Sequence, residues 1–233
     1  MPVSAWALWV RRHTVRMPYE QATTLTIVLI ATAAILLSPA STSVFGRLGW
    51  ELSGRWHLDD FVGHLMLMAA IMASNSAGMM RLPAVRRYIV PLLWHPLVIG
   101  SAVMAMLFAQ SSASHSPAHD MLSEPPGPWL SAYLAVFVGL IIYGDIINVW
   151  LGLVHLRGDQ RARPVALVWM GCASLGIIAL LVLLLPALHI TACWYSWCRI
   201  AMCVALAVFS VASARSWQRK LDPYRRLIDG TRT

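Results

Sequence analysis

Few residues in this chain could do chemistry, and four of them form a stripe. Asp145, Asn148, Gly152 and His155 stand at i, i+3, i+7 and i+10. On a helix that spacing keeps them within an arc of roughly 80°. They interrupt a run, 129–153, that is otherwise apolar. A carboxylate inside such a run is costly in hydrocarbon, so it is expected to face other helices and to find a partner there. Depth selects the partners. At a rise of about 1.5 Å per residue, Asp145 falls roughly 6 Å past the middle of its run. Asn75 in the run 61–80 and His95 in the run 88–110 fall at about the same level. A buried cluster of Asn75, His95 and Asp145 is therefore expected, with Asn148 one turn further along. Such a cluster would bind a small molecule or an ion, or carry a proton. It would equally serve as a hydrogen-bonded network that fixes helix packing. His95 lies between Pro91 and Pro96. Neither proline can donate a backbone hydrogen bond, so the carbonyls of Arg87 and Leu92 are freed and a kink is expected.

Other constellations point to chemistry less specifically. Met66, Met68, Met72, Met79 and Met80 follow His57 and His64 in sequence. Thioethers suit Cu(I), but Met is also an ordinary apolar filler. His64, His95 and His155 lie at three different depths, so no two of them flank one haem plane. A copper or haem accessory role is the third reading of the chain, and no metal or cofactor is expected. His115 and His119, with Asp120, have the spacing of a zinc pair, but Pro117 between them disfavours a helix. Cys193 and Cys198 would form a disulfide only if Cys193 precedes its helix. Cys172 and Gly176 make a small-xxx-small pair. Asp59 and Asp60 read as the polar start of a helix, where acids suit the N-terminus. No phosphate-binding loop, Ser-His-Asp set, Cys-x-x-Cys pair or zincin motif occurs, so an enzyme is not expected.

The elements that must position these residues are six apolar runs, at about 21–38, 61–80, 88–110, 129–153, 165–188 and 194–214. The chain is 58% hydrophobic and 12% charged, against roughly 25% charged in a soluble domain. Its mean hydropathy is +0.64. Crossing about 30 Å of hydrocarbon takes roughly 20 residues per helix. In lipid each span must satisfy its own backbone hydrogen bonds, which selects helices. The short alternating segments of a β-barrel are absent. The expected fold is an all-α polytopic transmembrane bundle of about six spans. No internal repeat is visible, so an inverted-repeat transporter is not expected.

Lys and Arg set the expected orientation. Arg11, Arg12 and Arg16, then Arg81, Arg86 and Arg87, then Arg157, Arg161 and Arg163 fall on one side of the alternating runs. The C-terminal segment adds Arg215, Arg219, Lys220, Arg225, Arg226 and Arg232. The other side has only Arg47, Arg55 and Arg199. Both termini are thus expected in the cytoplasm, with the protein in the cell membrane. Residues 1–20 form a cytoplasmic amphipathic segment with Trp6 and Trp9 at the interface. Residues 21–214 form the transmembrane domain, and 215–233 a basic cytoplasmic tail. Trp129, Trp194 and Trp197 fall where belt aromatics sit. The stretch Pro2–Val10 precedes its arginines, the reverse of a signal peptide. The net charge of +8 is spread over short clusters with no aromatic-interleaved stripe, so nucleic acid is not an expected partner.

The runs Arg16–Pro18 through Leu37–Pro39, Leu58–Leu65 (with Asp59, Asp60 and His64) and Arg163–Gly176 resemble a group of actinobacterial multi-pass membrane proteins catalogued as candidate transporters. The resemblance covers most of residues 10–190. It implies a membrane bundle, a further helix before Trp6 and a soluble C-terminal region; the last two have no counterpart in this sequence. The expected function is non-enzymatic binding, transport or sensing of a small molecule, ion or proton through Asp145, His95, Asn75 and Asn148. The alternative is a membrane scaffold acting through a protein partner, another membrane protein or a second copy, including phage or prophage envelope exclusion.

Overall fold

The computed structural model describes residues 2–116, 121, 127–158, 163–184 and 193–230. Among these residues there is no strand. The chain opens with α1 (Pro2–Val10) and α2 (Pro18–Leu36). Two short helices, α3 (Pro39–Ser41) and α4 (Arg47–Ser53), flank a π-helical turn at Thr42–Gly46. Then come α5 (Leu58–Met80), the short α6 (Pro83–Arg86), and α7 (His95–Gln110), which continues a π-helical turn at Val90–Trp94. The last three are α8 (Pro128–Gly158), α9 (Arg163–Leu184) and α10 (Cys193–Gly230). Within the described residues each of the six apolar runs falls largely on a helix. Four segments are long and apolar enough to cross a membrane: Leu58–Met80, Val90–Gln110, Pro128–Gly158 and Ile200–Leu221. Glu20–Leu36 and Arg163–Ile178 are shorter apolar stretches. The residues 215–230 of the expected tail continue α10 without a break.

α5 is the central helix, and its composition explains why. Ala70, Ala73, Ser74, Ala77 and Gly78 are all buried, and small side chains let neighbouring backbones approach closely. At Gly63 an added Cβ would stand 2.8 Å from Leu37, so only glycine admits the α2 contact there. Met68, Met72 and Met79 fill the core with Leu93, Met104, Phe108 and Tyr133.

α5 and α8 run parallel and are joined at three levels. His64 Nδ1 and the Tyr133 hydroxyl share a hydrogen bond of 2.8 Å. Asn75 Nδ2 donates to the Gly144 carbonyl at 2.7 Å. His155 Nε2 donates to the Gly78 carbonyl at 3.3 Å. α2 packs antiparallel on α5, with Thr26 Oγ1 3.4 Å from the Ala70 carbonyl oxygen. These directions gather Arg11, Glu20, Arg81, His155 and Lys220 at one end, here called the basic end. Arg47, Arg55, Asp59 and Asp60 lie at the far end.

The proline-rich start of α7 shows how a freed carbonyl is satisfied. Pro96 leaves the Leu92 carbonyl without its helical donor. The Tyr143 hydroxyl of α8 donates to that carbonyl at 2.8 Å. Tyr143→Phe should therefore cost about 1 kcal/mol of stability, read from unfolding in mixed micelles. An unchanged midpoint would show that the carbonyl needs no such donor. At the far end Arg55 Nη1 donates to the Ala109 carbonyl at 2.7 Å, capping the last turn of α7 as orphan C-terminal carbonyls require.

The N-terminal segment contributes more than an amphipathic surface. Trp6 and Trp9 are exposed, while Ser4 and Ala7 are buried and α1 packs along α10. Arg11, just past α1, is only 2% exposed. Its guanidinium donates to Glu20 Oε2 at 2.7 Å, to Thr24 Oγ1 at 3.2 Å and to the Ser213 carbonyl at 3.2 Å. Burial pushes the Arg11 guanidinium below its ordinary value, and Glu20 works against that shift. Arg11 thus joins α1, α2 and α10.

Candidate functional site

Five helices, α2, α5, α8, α9 and α10, line a half-open cavity of about 150 Å³. That is about the size of an engineered apolar cavity that takes up benzene. Its walls are mostly apolar, including Ile30, Ile71, Trp169, Leu206 and Phe209. The polar side chains on its surface are Thr26, Ser74, Asp145, Asn148 and Cys172.

Asp145 is 5% exposed. Among the described residues no hydrogen bond or ion pair reaches its carboxylate. Gly176 of α9 makes room for it, since an added Cβ there would stand 2.7 Å from Oδ2. Asn148 is buried, and its Oδ1 and the Ser74 hydroxyl have no hydrogen-bond partner among the described residues. Buried polar groups are nearly always paired, so these atoms mark a wall suited to a polar ligand. Thr26 instead donates to the Ala22 carbonyl at 2.9 Å, and Cys172 Sγ lies 3.6 Å from the Ala205 carbonyl oxygen.

The expected cluster is brought together only in part. Asp145 and Asn148 share the cavity, and the stripe continues inward. Gly152 packs against Met170, and His155 meets Gly78. Asn75 is fully buried one residue from the site, but its amide is held by the Gly144 carbonyl and it is not on the cavity wall. Its neighbour Ser74 takes that place, because a single residue turns a helix by about 100°. His95 is not part of the cluster. It is exposed, because α7 packs on the outside of α8 and does not reach the cavity. Matching depth along the axis could not show this rotation.

Sequence reasoning missed Ser74, Thr26 and Gly176 as parts of this site. The one available signal was the Cys172–Gly176 pair, read only as a packing motif. Asp59 and Asp60 stand in the first turn of α5, as expected of a polar helix start, and both are also buried. Asp60 Oδ2 accepts from His57 Nδ1 at 3.1 Å, and His57 takes a left-handed φ of 57° just before α5. The two oxygens of Asp59 have no hydrogen-bond partner among the described residues. His115 is exposed. His119, Asp120 and Arg161 lie outside the described residues, as do the side chains of Cys193, Trp194, Trp197 and Cys198. The helix α10 begins at Cys193. Among the described residues no three His, Cys, Asp or Glu side chains come together to hold a metal. In comparisons with known proteins, no family model, no curated protein and no solved structure matches the chain.

Proposed function

We propose that this chain is an integral membrane protein of six spans, with both termini cytoplasmic, that binds a small molecule, ion or proton at Asp145 as a transporter or sensor. One observation carries the reading: the Asp145 carboxylate stands on the wall of a mostly apolar cavity with no hydrogen bond or ion pair among the described residues. Ionisable groups inside a membrane bundle mark substrate, ion or proton paths. A lone carboxylate there requires a compensating positive charge, either a proton or a cationic ligand. The apolar walls favour a ligand with a small hydrocarbon body, so the ligand class we favour is a small organic amine in its protonated form. The orientation is supported by the gathering of Arg11, Arg81, Arg157, Arg163 and Lys220 at one end of the bundle. The resemblance of residues 16–39, 58–65 and 163–176 to candidate transporters fits the same role.

The test is a thermal-shift panel on the purified protein, comparing small organic ammonium ions with neutral molecules of the same shape. Benzylammonium against benzyl alcohol is one such pair. The ammonium ions should raise the melting temperature saturably, and the neutral molecules should do so much less. Equal responses within every pair, or none, would sink the cation reading.

A further inference from the structure

A second pocket, at the basic end, has the opposite chemistry. It measures about 580 Å³ and lies between the ends of α5, α8, α9 and α10. Arg81, His155, Ser216 and Lys220 line its polar side, and Val165 and Trp169 are among its apolar walls. Among the described residues no acidic side chain is on its surface. Among the described residues the carboxylate that meets these cations is Glu20, which is not on the pocket wall. It meets Lys220 Nζ at 2.5 Å and Arg81 Nη2 at 3.6 Å. The same Glu20 also meets the buried Arg11 at 2.7 Å. Among the described residues, therefore, three cations share one carboxylate, an excess of two positive charges at the edge of a pocket. A charge excess of this kind draws an anion, and the two basic side chains with Ser216 supply donors for its oxygens.

We propose that this pocket binds a phosphate-bearing ligand, with Arg81 and Lys220 on the phosphate and the apolar wall along its hydrocarbon part. The two sources of that chemistry are the headgroup of an anionic lipid and a free phosphate. Basic pockets between helices at the cytoplasmic level are suited to lipid headgroups. The site is separate from Asp145 and would stand if the cation reading failed.

The test follows thermal unfolding of the full chain in neutral detergent. Dihexanoyl phosphatidylglycerol, dihexanoyl phosphatidylcholine or inorganic phosphate is titrated in. Phosphatidylglycerol should stabilise the protein saturably and phosphatidylcholine should not. The double variant Arg81→Gln/Lys220→Gln should bind phosphatidylglycerol about thirtyfold more weakly, since each basic residue beside an anionic headgroup contributes roughly fivefold. Because that variant also disturbs Glu20, Val165→Trp is made as well. It narrows the pocket from the apolar side, leaves the ion pairs in place, and should remove the response. Asp145→Asn should keep it. Saturation by inorganic phosphate at similar concentration supports the site with a free anion as its source. A response to phosphatidylglycerol alone supports it with lipid as its source. Equal stabilisation by both lipids, or an unchanged response in Val165→Trp, overturns the proposal.

Discussion

Asp145→Asn should abolish binding of the organic ammonium ion while the protein still accumulates and folds. The substitution keeps the shape of the side chain and removes its charge. Truncating one member of a buried charge pair costs about 2–5 kcal/mol of binding, so affinity should fall at least about thirtyfold. Stability should move the other way or not at all. The unliganded carboxylate is buried with no hydrogen bond from the described residues, and a neutral amide is cheaper to hold in such surroundings. Gly176→Leu gives an independent check. Its side chain would enter the space occupied by Asp145 Oδ2 and should remove binding with the charge intact. The readouts are ligand-induced thermal shift and the yield of monodisperse protein. If Asp145→Asn fails to accumulate, the residue is structural and the scaffold reading gains. If it accumulates and binds as the parent does, the site lies elsewhere.

Glu20→Gln should be the most destabilising single change at the basic end. Glu20 is the shared carboxylate of Arg11, Arg81 and Lys220. Removing its charge leaves the Arg11 guanidinium buried without a counter-ion. Breaking a buried pair in this way costs about 3–5 kcal/mol, a fall in melting temperature of roughly 10 °C for a chain of this size. Lys220 is half exposed and adds little to that figure. Replacing both members, Arg11→Met with Glu20→Met, should recover much of the loss, because no buried charge is then left unpaired and Arg81 and Lys220 are partly exposed to solvent. Glu51→Gln is the contrast. Its pair with Arg47 is exposed on a single helix, and such pairs contribute about 0.3–0.5 kcal/mol. A Glu20→Gln protein that melts with the parent would show that Arg11 is held by its other partners alone.

Where the helices lie was legible in the chain alone. Apolar runs of 18 residues or more, and the prolines and charges between them, are local features, and the described part of each run is largely helical. The sequence also marked the face of α8 that would be buried, because Asp145, Asn148, Gly152 and His155 repeat with the helical period. It paired the levels of Asn75 and residue 145 correctly, since rise per residue is fixed by the backbone. Tertiary structure decided the rest. Whether a side chain at the right depth points inward depends on the rotation of its helix, and that is set by packing against several neighbours at once. Hence Ser74 rather than Asn75 reached the cavity, and His95 turned outward on a helix that sits outside the ring. The same is true of Arg11. Its charge is a local fact, but its burial between Glu20 and Ser213, 202 residues away from it in the case of the latter, exists only once α1, α2 and α10 meet.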